Sequence, residues 1–111
     1  MLRMSLDALI LNPGRLRILT ALAEGSAEFV DLRARTRLTD GNLATHARRL
    51  VAAGLVSARK DLREGRPVTQ YELTDLGRST LRTHVRDLSA ALAKLDHLSA
   101  RSFDPAEEWV D

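Results

Sequence analysis

The sequence predicts a mainly α-helical fold with one small β-hairpin. Three observations lead there. Apolar residues recur at helical spacing through most of the 111 residues, and the period switches to two only between Val56 and Leu73. Capping residues and glycines punctuate the helical stretches where starts and stops are needed.

Leu2, Leu6, Leu9 and Ile10 form one stripe of a first helix over about residues 1–11. Asn12 before Pro13 then places a capping side chain ahead of a proline at the first helical position. A second helix is expected from about Pro13 to Glu24, with Leu16, Leu19, Leu22 and Ala23 inward and Gly25 as its stop. "SAEF" suits a brief extended segment. A third helix, roughly Val30 to Arg35, should bury Leu32 and Phe29.

The stretch "LTDGNLATHARRLVAAGLV" reads as a fourth helix, capped by Thr39, favoured at its start by Asp40 and stopped by Gly54. Leu43, Ala47, Leu50 and Val51 are expected inward; Asn42, Thr45, Arg48, Arg49 and Ala52 lie mostly outward. "VSARKD" and "VTQYEL" then flank "LREGRP", whose Gly65 and Pro67 mark a hairpin turn. Thr74 caps a long helix on which Leu81, Val85, Leu88, Leu92 and Leu95 alternate spacings of four and three, a heptad seam suited to pairing with a partner. Residues 1–98 are thus expected to form one domain, with pairing helices at about 1–11 and 75–98. Residues 99–111, containing Pro105, Phe103 and Trp109, are expected to be a tail.

Composition narrows the function classes. With no cysteine there is no disulfide framework, thiolate metal site or cysteine nucleophile. Apolar runs are short and no signal-peptide order opens the chain, so a soluble cytoplasmic protein is expected. No phosphate-binding glycine loop, His-Glu-x-x-His or nucleophile elbow is present, and an enzyme is not expected. The net charge is only +2, yet Arg33 to Arg66 holds nine basic residues against three acids, whereas Thr74 onward holds five against seven. A basic middle on a near-neutral scaffold suggests a polyanion-binding surface.

Helix, short helix, tight turn, polar-faced helix and hairpin make, in that order, a helix-turn-helix followed by a wing. A major groove admits one helix, whose outer side must carry hydrogen-bonding side chains rather than bulk. Candidate contacts to double-stranded DNA are therefore Thr39, Asn42, Thr45, His46, Arg48 and Arg49 on the helix, with Lys60, Arg63 and Arg66 on the hairpin. His46 falls between the inner and outer faces, so a packed or capping histidine is as good a reading as a DNA contact.

At "FVDLRARTRLTDGNLATHARRLVAAGLV" and "GRPVTQYELTDLGRSTL" the chain resembles the winged-helix transcriptional regulators of the ArsR and MarR types, from about Asn12 to Val85. The resemblance implies a homodimeric regulator of operator DNA, with repression as the expected sense. It implies a dimer interface on Leu6, Leu9 and Ile10 with Leu81, Val85, Leu88, Leu92 and Leu95. The sequence departs from the family's pattern where Arg37 stands in the helix-turn-helix turn and where Ala47 replaces a larger apolar residue. It also lacks the cysteines of many metal-sensing members. His84 and Asp87 have ligand spacing, but Arg82 and Ala100 stand where further ligands would belong, so no metal or other cofactor is expected. No residue pattern indicates a small-molecule effector. The alternative function is a protein-interaction module that reuses the winged helix as a docking surface.

Overall fold

In the computed structural model the described residues are 9–102, with side chains described through residue 97. Leu2, Leu6, Phe103 and Trp109 lie outside these limits. The elements are α1 (Pro13–Ala23), β1 (Ala27–Glu28), α2 (Phe29–Thr36), α3 (Asp40–Ala52), β2 (Val56–Arg63), β3 (Arg66–Leu73) and α4 (Asp75–Ser102). Residues 9–11 are also helical and lead into Asn12.

Local chemistry accounts for the boundaries. The Asn12 carboxamide oxygen accepts the amides of Gly14 and Arg15 at 2.9 and 3.2 Å, and Pro13 sits where its missing N–H costs nothing. Thr39 Oγ1 accepts the Asn42 amide at 3.1 Å to start α3. At the other end Gly54 takes a φ of 79°, its amide bonds the Val51 carbonyl and the Leu55 amide bonds the Leu50 carbonyl. This paired closure satisfies carbonyls that a helix end leaves open.

α2 ends differently, because Arg37 holds the left-handed conformation at φ 60°. A side chain there costs about 1–2 kcal/mol relative to the right-handed form, a strain that glycine escapes at the expense of unfolded-state entropy. Arg37→Gly should therefore raise stability by up to about 1 kcal/mol, measured by urea unfolding. A clear loss would mean that the Arg37 side chain does more than span the turn.

The three strands form one antiparallel sheet in the order β1-β3-β2, with Ala27 opposite Tyr71 and Val56 opposite Leu73 through to Arg63 opposite Arg66. The hairpin turn is tighter than the six residues expected. Glu64 and Gly65, at φ 53° and 77°, make a two-residue turn of the kind whose twist matches antiparallel strands, so both strands extend to the flanking arginines.

Ile18, Leu19 and Leu22 of α1 pack with Leu32, Leu43, Ala47, Leu50, Leu55, Val56, Tyr71 and Leu73 in a single core. Two side chains of α1 depart from expectation: Ile18 is fully buried and Ala23 is exposed. Apolar residues ring this helix, and contacts with α3 on one side and β3 on the other choose the buried face. Val51 also departs, standing exposed beside the sheet.

The residues expected on the dimer seam divide into two groups in the single chain. Ile10 is 0% and Leu81 7% exposed within the single chain, because both join its own core. Val85, Leu88, Leu92 and Leu95 instead remain 46 to 58% exposed along α4. No described residue of the chain packs over that stripe.

Candidate nucleic-acid interface

α3 presents four strips to its surroundings. Leu43, Ala47 and Leu50 face the core. Asn42, Thr45 and Arg49, spaced three and four residues apart, share one exposed strip. Gly41 at the start of α3 is open, with no atom within 4 Å of the position a Cβ would take. The outer strip therefore carries amide, hydroxyl and guanidinium groups with little bulk around them.

Of the two flanks of α3, one is braced and the other lies open. On the braced flank, His46 lies against α1: a Cβ on Gly14 would sit 2.9 Å from both Cδ2 and Nε2 of the ring, so the absent side chain of Gly14 makes room for the imidazole. Arg15, itself buried, donates from Nε to the Leu9 carbonyl at 2.6 Å and points Nη1 at His46 Nδ1, 3.5 Å away. A guanidinium only donates, so Nδ1 can take part in this contact only as an acceptor, which favours the neutral ring. Burial, then the charges of Arg15 and Arg49, hold His46 below its ordinary pKa of 6.5. This geometry realises the packed alternative for His46. Arg15 is a residue that the sequence reading did not single out, since an arginine on a helix looks like a surface residue.

A pH dependence follows from that pKa. The unfolded chain protonates His46 near pH 6.5, whereas the folded chain resists until lower pH, so its stabilising share is complete above about 6.5 and declines as pH falls below that. Wild type should lose stability between pH 7.5 and 5.5 more steeply than His46→Gln, with both followed by chemical denaturation. Parallel curves would remove His46 from the account.

On the other flank Arg48 points toward the sheet, where it lines a cleft with Tyr71. Across the turn before α3, Arg33 pairs with Asp40 at 3.2 Å, an exposed contact of at most about 1 kcal/mol.

The hairpin arginines differ from one another. Arg63 Nε stands 2.7 Å from Glu28 Oε1, whose side chain is only 15% exposed, but its N–H is not aimed at that oxygen, which accepts no hydrogen bond. Arg63, expected to face DNA, is thus partly neutralised by β1. Lys60 donates to Thr69 across the strands at 2.8 Å and is steadied along the sheet. Arg66 makes no ion pair among the described residues. No group of three or more histidine or acidic side chains among the described residues is placed to hold a metal.

A family model for the winged helix DNA-binding domain matches residues 15–92. An uncharacterised protein of Methanocaldococcus jannaschii is 33% identical over 61 residues, which span 55% of this chain and 66% of that protein. A solved Pyrococcus horikoshii structure, described as a transcriptional regulator homologue, superposes with a TM-score of 0.75 at 32% identity, over 86% of this chain and 99% of that one. A Mycobacterium tuberculosis structure is alike in fold, with a TM-score of 0.70 at 24% identity over 87% and 93% of the two chains.

Proposed function

The chain belongs to the winged helix DNA-binding domain family, and from that premise we propose that it is a sequence-specific transcriptional regulator acting as a homodimer on a near-palindromic operator. The observation that carries this reading is the outer strip of α3, where Asn42, Thr45 and Arg49 stand exposed on a helix whose inner face is packed and whose α1 side is braced by His46. Two such helices would enter major grooves about one turn of DNA apart, roughly 34 Å. The exposed stripe Val85, Leu88, Leu92 and Leu95 supports α4 as the element that pairs two copies. Repression by occupying the operator needs only this unit.

The contacts divide by chemistry. Asn42 offers the two-pronged amide that suits adenine, and Thr45 a hydroxyl for a base edge or methyl group. Arg48, Arg49, Lys60 and Arg66 supply phosphate contacts, with Arg63 weaker because Glu28 draws it back. Thr39 already accepts the Asn42 amide, and its hydroxyl proton remains to donate to a phosphate. His46 acts from behind by setting the seat of α3 on α1.

Binding of the full chain to its own promoter and to a scrambled duplex, across a salt series, tests the reading. Arg66→Ala should weaken binding to every sequence and reduce the logarithmic salt slope by about 1. Asn42→Ala should cost about 1–3 kcal/mol of discrimination at one base position and leave the slope unchanged. Indifference of both duplexes to reversal of the Arg66 charge would turn the assignment toward a protein-docking module.

A further inference from the structure

The hairpin runs out of the sheet as a two-stranded ribbon. β1 pairs with β3 only at Tyr71 and Gln70, and of β2 only Val56 is buried, so from Lys60 to Thr69 the two strands have just each other. Alternation gives the ribbon two faces. Ala58, Lys60 and Leu62 share one with their opposite residues Tyr71, Thr69 and Pro67. This is the face toward α3, because Ala58 and Tyr71 line a cleft with Arg48 and Val51. Arg63 falls on the other face, where its Nε stands 2.7 Å from Glu28.

Near its tip the α3-side face turns apolar. Leu62, 71% exposed, stands opposite the exposed Pro67. A two-residue turn closes on a hydrogen-bonded pair, here Arg63 and Arg66, and the pairs alternate from there. Leu62 and Pro67 are therefore a non-hydrogen-bonded pair, whose side chains approach more closely and whose ladder needs no N–H from proline. The outward amide of Leu62 is taken by the Asp61 carboxylate at 2.8 Å, so this edge does not offer that donor to an added strand. Next along the same face is Lys60, steadied by Thr69. A single exposed leucine is ordinary on a protein surface. This one is paired with a proline, carried to the end of a ribbon and bracketed by Lys60 and Arg66.

We propose that Leu62 and Pro67 form an apolar wedge that enters the minor groove next to the major groove holding α3, partly unstacks one base step and bends the duplex. The bracketing charges choose nucleic acid as the occupant: Lys60 and Arg66 would meet the phosphates on the two walls of the groove, and the apolar pair between them would meet the bases. Leucine and proline are among the side chains that open base steps in this way. The inference rests on the DNA-binding reading and adds a deformation to it. Sequence is then read also at a step that no hydrogen bond touches, with the readily unstacked pyrimidine–purine steps favoured.

The test uses the full chain and duplexes of its own promoter in which 2-aminopurine replaces adenine at one position at a time. Wild type should raise the fluorescence severalfold at the step under the wing, where the base leaves its stack. Energy transfer between dyes on the duplex ends should report a bend of roughly 20–90°. Leu62→Ser should lose both signals and keep the salt slope, since no charge is removed. Leu62→Met, which restores an apolar side chain, should recover both. Replacing the step under the wing by a stiff A-tract step should weaken wild type about tenfold and Leu62→Ser little. Leu62 is exposed, so the melting curves of both variants should match wild type. Promoter binding by wild type without unstacking at any position, or with signals that Leu62→Ser retains, would overturn the wedge, leave the DNA-binding reading standing and turn the apolar tip toward a protein partner. Absence of promoter-specific binding by wild type would overturn both.

Discussion

Gly77→Ala is expected to destabilise the fold by about 3 kcal/mol, the largest loss from a methyl group added at any of the six glycines. An ideal Cβ on Gly77 would stand 1.9 Å from the Leu55 carbonyl oxygen and 2.9 Å from its carbon. The obstacle is backbone, so no rotamer change relieves it. Nor is the Leu55 peptide free to retreat: its oxygen accepts the Thr74 amide at 3.1 Å, its amide bonds Leu50 at 3.0 Å, and its side chain is buried. Thr74 adds a second tie, since its hydroxyl donates to the Gly54 carbonyl and accepts the Gly77 amide. The close approach of α4 to the end of α3 is therefore held from both sides. A thermal melt should show a drop on the order of 15 °C or more. Gly41→Ala is the matched control: it meets open space in the first turn of α3 and should gain about 0.5–1 kcal/mol. A Gly77→Ala variant within 1 kcal/mol of wild type would mean that the two backbones separate more easily than this packing implies.

If α4 pairs two copies as proposed, the double change Leu88→Lys and Leu92→Lys should yield a monomer and reduce operator affinity by about 100-fold or more. Both side chains are about half exposed in the single chain, so the winged-helix core does not depend on them. That core holds its end of α4 through Leu81, which remains in place. Two lysines on one stripe would set like charges against like charges across a symmetric interface. Each monomer would retain its outer α3 strip but lose the linkage that makes the second half-site contact intramolecular. Sedimentation velocity reports the assembly, and circular dichroism should report loss of helix confined to the outer turns of α4, which have no partner when alone. A variant that stays dimeric, or that binds operator as wild type does, would remove α4 from the interface.

Much of this molecule was legible in the sequence because its signals are local. Asn12-Pro13, Thr39-Asp40, Gly54 and Thr74 each satisfy or terminate a helix end with atoms a few residues away, and the structure places caps at each of them. The period-two segment became the hairpin for the same reason, and the exposed strip Asn42, Thr45 and Arg49 follows from helical spacing alone. These features determined the helix-turn-helix, the wing and the exposed polar face of α3.

What only the tertiary structure decided involves atoms far apart in the chain. Which apolar stripe of α1 is buried depends on α3 and β3 lying on either side of it, so Ile18 turned inward and Ala23 outward. Leu81 and Ile10 joined the chain's own core, and the unpartnered stripe begins only at Val85. Arg15 and His46 meet over Gly14, Arg63 is drawn to Glu28, and Ala47, Ala58 and Tyr71 leave a cleft between helix and wing. Local pattern states which face of an element is apolar or charged. Excluded volume and the distance between charges, set only when the elements pack, decide what each face meets.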